Sequence, residues 1–235
     1  MNFASWHGRD FAVKYAPDKI TKESFMTNAY KPKNTVRGHI FTPPENFALR
    51  LFLMAAGIIM SSLATAALLK LNLGTDPYSS FIRGLSGKIG VSYGTTQLSA
   101  QLFMFIFMLA RGRGLIGVGM LANMIFSGYI VDLGTFILDR TVTNAEVWDS
   151  LIVKAVVLIP ALAVFIVGAA LYMAVDLGVS PYDGMPYIIT DLLKSQKISF
   201  RRVRTMWDFL FMTMGFALGG SFGIVTVIEM LFLGR

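Results

Sequence analysis

Long uncharged apolar runs alternate with short polar joints along most of this chain. Residues 51–69 and 91–110 carry no charged side chain, and further apolar runs cover 114–131, 155–175 and 209–228. A helix needs roughly 20 such residues to cross the hydrocarbon layer of a bilayer. The last run is interrupted by Gly219-Gly220-Ser221-Phe222-Gly223, which reads as a tight turn between two helices. The pattern therefore predicts an all-α, polytopic membrane helical bundle of about six transmembrane helices, at about 47–72, 93–110, 114–134, 152–176, 203–218 and 222–235. Pro160 is expected to kink the fourth span.

Two segments repeat. Leu73-Gly74-Thr75-Asp76-Pro77-Tyr78-Ser79 follows the first span, and Leu177-Gly178-Val179-Ser180-Pro181-Tyr182-Asp183 follows the fourth. With small gaps, Val91-Ser92-Tyr93 pairs with Ile198-Ser199-Phe200, and Gly117, Asn123 and Gly128 pair with Gly223, Glu229 and Gly234. Each copy holds three spans, so the second enters the bilayer from the opposite side. This 3+3 inverted repeat is an arrangement that many transporters build around a midplane site. The expected organisation is an arm over 1–46, a first repeat over 47–140 and a second over 141–235, whose last span looks clipped.

The LG-x-x-PY motif encodes a helix stop and a new start. Gly74 and Gly178 can take the left-handed conformation that ends a helix. Asp76 and Ser180 are good N-caps, and Pro77 and Pro181 suit the first helical position. Asp183, three residues after Ser180, completes the pattern of a capping box. The helices that follow, about 76–88 and 181–194, are too short to span, so they are broken or re-entrant half-helices or lie along the interface. A half-helix N-terminus suits an anionic or polarised group, whereas Asp76 and Asp183 suit a cation or proton. The same residues also read as plain helix caps.

Charge orients the bundle. Lysine and arginine favour the cytoplasmic side. Placing the arm, 111–113, 177–202 with Arg204, and the C-terminus inside puts 16 of the 21 basic residues there. Lys70, Arg83, Lys88, Arg140 and Lys154 stay outside. Both termini are thus expected to be cytoplasmic, and the arm shows no signal peptide. Composition agrees: 54% of residues are hydrophobic and 15% charged, against roughly 25% charged in soluble domains. The formal charge of +7 then reflects orientation rather than nucleic-acid binding. Cysteine is absent, and both histidines, His7 and His39, lie in the arm. No catalytic constellation, metal-ligand spacing or cofactor motif is visible, so neither an enzyme nor a bound cofactor or metal is expected.

The LG-x-x-PY motif after the first span, its echo after the fourth and the glycine-bearing third and sixth spans resemble the YczE/YitT-like family of bacterial multi-pass membrane proteins. The likeness covers about residues 47–235 and implies an integral protein of the bacterial cytoplasmic (inner) membrane, with no substrate attached. The arm is longer than such a likeness would suggest.

Two functions are expected. The first is a small-solute transporter or permease-like protein whose path is lined by Asp76, Tyr78, Ser79, Ser180, Tyr182, Asp183, Asn123 and Glu229. Gly74, Pro77, Gly178 and Pro181 would form the helix breaks. The chain is small for this task, which suggests a homodimer. The second is a non-catalytic accessory or structural subunit that docks into a larger membrane complex through residues 1–46. Their aromatics (Trp6, His7, Phe11, Tyr15, Phe25, Tyr30 and Phe41) favour contact with a bilayer surface or a partner. Asp208, downstream of Arg201, Arg202 and Arg204, reads as a salt-bridge partner at the entrance of the fifth span.

Overall fold

The structure is a computed structural model and describes residues 46–144, 146–193, 198–221, 223, 225 and 226. The arm, Lys194, Glu229 and nearly all of the expected sixth span lie outside the described residues. Among the described residues the regular structure is entirely helical. Helix α1 runs Phe47–Leu71, α2 Pro77–Ile89, α3 Tyr93–Arg111, α4 Val118–Thr141, α5 Leu151–Ala174, α6 Pro181–Leu192 and α7 Phe200–Ala217. Single turns at Arg113–Leu115 and Glu146–Asp149 lead into α4 and α5.

Three of these helices, α1, α4 and α5, are long and apolar enough to cross a membrane, with mean hydropathies of 2.1, 1.5 and 2.7 over their best windows. At a rise of 1.5 Å per residue they are roughly 36 Å long, beyond the roughly 30 Å of a hydrocarbon core. The apolar helices fit a membrane protein. Leu151, Ile152, Val156 and Ile159 stand exposed along α5, a surface that hydrocarbon can cover where water cannot. At 13 and 12 residues, α2 and α6 are too short to cross.

Helix α4 begins later and runs further than the expected 114–134. Gly117, at φ −155° and ψ 175°, is extended, and the turn at Arg113–Leu115 takes up the preceding residues. The later start has a packing reason. The Leu177 carbonyl accepts a hydrogen bond from Gly119 N–H at 2.8 Å, and a Cβ on Gly117 would collide with that same carbonyl oxygen.

The same contact occurs with the partners exchanged. The Leu73 carbonyl accepts from Val225 N–H at 3.4 Å, Thr226 Oγ1 accepts from Thr75 N–H at 3.2 Å, and a Cβ on Gly223 would meet the Leu73 carbonyl. The break after α1 therefore rests on Gly223, Val225 and Thr226, and the break after α5 rests on 115–119. Helix α2 likewise packs on α7, while α6 packs on α3 and α7. Helices α1 and α5 make a close crossing at Gly57 and Gly168, where a Cβ on Gly57 would lie 2.7 Å from the Gly168 carbonyl. Small residues allow such backbone approach between helices in a bilayer.

Candidate functional site

Both helix breaks form as their residues dictate. Helix α1 ends on Asn72 at φ 52°, and Asp176 takes φ 52° after α5. Gly74 and Gly178 follow at φ 100° and 109°. Asn and Asp tolerate the left-handed region better than other residues with a Cβ. The matched Asn72 and Asp176, just before each Leu-Gly, were a legible signal that the glycine reading passed over.

Each break then starts a helix. Asp76 Oδ2 accepts from Ser79 N–H at 2.9 Å, and Thr75 Oγ1 donates to Asp76 Oδ1 at 3.3 Å. In the second copy Ser180 Oγ accepts from Asp183 N–H at 3.2 Å and donates to Asp183 Oδ2 at 2.7 Å. Asp183 thus holds the hydroxyl of the cap, where a full capping box would engage its backbone N–H.

The two new helices bring their tyrosines together. The rings of Tyr78 and Tyr182 stack with centroids 4.5 Å apart and planes 26° from parallel. Phe211 of α7 stands edge-on to both, at 5.9 and 5.1 Å. Both tyrosines are buried in one cluster with Phe81, Ile82, Tyr93 and Met104. Offset stacking and edge contacts suit the ring quadrupoles.

A buried ionic chain leads away from Tyr182. Its hydroxyl donates to Asp208 Oδ1 at 2.6 Å. Arg204 Nε donates to Asp208 Oδ2 at 3.1 Å, and Arg204 Nη1 to Asp183 Oδ1 at 2.7 Å. The guanidinium also lies over the Tyr182 ring, 5.2 Å from its centroid. The Arg204–Asp208 pairing read from the sequence is present, but its depth is different. Asp208 is 2% exposed, so the pair lies inside the fold rather than on its rim. Arg204 therefore differs from its neighbours Arg201 and Arg202, which are exposed. The spacing of Arg204 and Asp208 at i and i+4 was the available signal, since it puts both on one helix face.

On the Tyr78 side the partners are neutral. Tyr78 Oη donates to the Gln97 carbonyl at 3.4 Å, and Gln97 Nε2 donates to Ser127 Oγ at 2.5 Å. Ser127 in turn donates to the Asn123 carbonyl at 2.6 Å, so Asn123 joins through its backbone. Ser80 Oγ, Gln101 Oε1 and Tyr172 Oη are buried with no hydrogen-bond partner among the described residues. The structure thus gathers Tyr78, Tyr182, Asp183 and Ser180, with Asp76 capping the adjoining helix through the Ser79 N–H. The expected role of Glu229 lies outside the described residues. No group of three or more metal-ligating side chains occurs among the described residues.

A family model covers residues 48–235 and thus both breaks. The chain belongs to the DUF6198 family, a family of unknown function. It is similar to the Bacillus subtilis (strain 168) protein named "Uncharacterized protein YyaS", with 28% identity over 174 residues. The match spans 73% of this chain and 82% of that protein. No solved structure matches.

Proposed function

We propose that this DUF6198 protein is a small-solute transporter of the bacterial cytoplasmic membrane. It is built as two inverted three-span repeats with both ends in the cytoplasm. The likeness of the motif to YczE/YitT-like membrane proteins is part of this reading. One observation carries it: tyrosines from matched positions of the two LG-x-x-PY motifs stack at 4.5 Å between the starts of two helices too short to span. Broken helices that meet at a repeat interface are the usual setting of a transport site. The exchanged packing of each break on the opposite half supports the same pseudo-symmetry. Ser80 Oγ, buried next to Ser79 with no hydrogen-bond partner among the described residues, favours a polar path over a sealed apolar core.

In this mechanism Asp76, Ser79, Ser180 and Asp183 offer polar contacts to the solute, and Tyr78 and Tyr182 close over it. Arg204 holds Asp183 and Asp208 in place. Rocking one three-span repeat against the other opens the site to each side in turn.

The cysteine-free sequence suits a direct test. Ser79→Cys and Ser180→Cys, both at buried positions, are labelled with a membrane-impermeant thiol reagent in right-side-out and inverted vesicles. Ser92→Cys and Arg201→Cys, at exposed positions, report the sidedness. Alternating access predicts that both buried cysteines react from both sides. Reaction of each from one side only, or from neither, refutes it.

A further inference from the structure

A cleft of about 320 Å³ opens where α1, α2, α3 and the second half of α4 meet. Its lining includes Lys70, Arg83, Ser86, Ser92, Tyr93 and Asp132. Lys70 is the penultimate residue of α1, so the cleft lies where that apolar helix reaches the headgroup level. Lys70 Nζ pairs with Asp139, and the Asp132 carboxylate in the wall accepts the Gly94 N–H at 2.9 Å but forms no ion pair among the described residues. Arg83 is exposed and likewise forms no ion pair among the described residues.

The hydroxyls nearby have committed their protons. Ser86 Oγ donates to the Arg83 carbonyl at 3.0 Å, and Ser92 Oγ to Thr95 Oγ1 at 3.1 Å. The cleft therefore offers one open guanidinium and, at its edge, a lysine shared with Asp139, with the Asp132 carboxylate also in its wall. The matched positions in the second half of the chain, Ala174 and Tyr187 in place of Lys70 and Arg83, carry no charge. This feature is thus separate from the repeat and independent of the transport reading.

We propose that this cleft binds a phosphate-bearing anion, with Arg83 as its anchor and Lys70 as the second cation. A guanidinium fork matches two phosphate oxygens at once, where a lone ammonium offers a point charge. The volume sits at the lower end of small-ligand sites, enough for a headgroup or a small phosphate ester. A phospholipid and a soluble phosphate present the same oxygens, and the test separates them.

The full chain is purified in a neutral detergent, and its thermal midpoint is followed by tryptophan fluorescence. One arm adds inorganic phosphate; the other adds phosphatidylglycerol, with phosphatidylcholine as the uncharged-balance control. A rise with phosphatidylglycerol over phosphatidylcholine assigns a lipid headgroup, and a rise with inorganic phosphate assigns a soluble anion. In either case Arg83→Gln raises the half-saturating concentration about tenfold, the loss expected for one charge-assisted contact. Arg83→Lys recovers part of it. Arg202→Gln, an exposed change on α7 outside the cleft lining, leaves the response unchanged. The proposal is overturned if neither probe raises the midpoint, if Arg83→Gln responds as the native chain does, or if Arg202→Gln loses as much.

Discussion

Replacing Arg204 by glutamine removes the one charge that joins Asp183 to Asp208. The cost follows from the burial of the two acids. Asp208 is 2% exposed, so losing its cation strands a buried carboxylate, at about 3 kcal/mol, the low end for breaking a buried pair. The Asp183 side chain is 33% exposed, and solvent screening limits that arm to under about 1 kcal/mol. The single variant should therefore lose about 3–4 kcal/mol. Asp208→Asn removes the charge but keeps an oxygen for the Tyr182 hydroxyl. In that background Arg204→Gln costs only about 1 kcal/mol, from the Asp183 arm and the stacking over Tyr182. The coupling between the two sites is then about 2–3 kcal/mol, within the range for directly bonded residues. Unfolding by SDS titration in mixed micelles measures it. Trp207, 6.0 Å from the Tyr182 ring, reports locally by fluorescence. Costs that add to within about 0.5 kcal/mol would show that the buried ionic chain is not an energetic unit.

Three other expectations can be checked alongside it. Asp76→Ala should lose about 1 kcal/mol with its cap, whereas Asp76→Ser keeps the cap and the stability. If the carboxylate serves transport, Asp76→Ser still abolishes uptake once a solute is known, and full uptake by that variant would reduce Asp76 to a cap. Gly117→Ala should sharply reduce the yield of monodisperse protein in size-exclusion chromatography, because its methyl meets the Leu177 carbonyl. Gly87→Ala, with nothing within 4 Å of its Cβ, should be neutral or gain up to about 1 kcal/mol. Deleting residues 1–45 should leave a lone monomer or homodimer in mild detergent as before, and loss of a stoichiometric partner on that deletion would favour the accessory-subunit reading.

Pattern alone located the helices that matter. An uncharged apolar run has no stable place in water, and an Asp or Ser before Pro starts a helix wherever the chain has just stopped one. The sequence therefore determined α1, α4 and α5, the breaks at Gly74 and Gly178, and the caps at Asp76 and Ser180, all of which depend on neighbours within a few residues. It could not determine that Tyr78 would stack on Tyr182, because that contact joins residues 104 positions apart and depends on how α2 and α6 meet. It also left Arg204 among its neighbouring arginines. Burial against Asp183, Asp208 and Tyr182 is what separates that side chain from Arg201 and Arg202. The delayed start of α4 has the same origin, since the Leu177 carbonyl that meets Gly117 and Gly119 arrives from the far half of the chain. Local chemistry fixed where helices stop and start. Only the tertiary packing decided which of the polar residues at those stops came together.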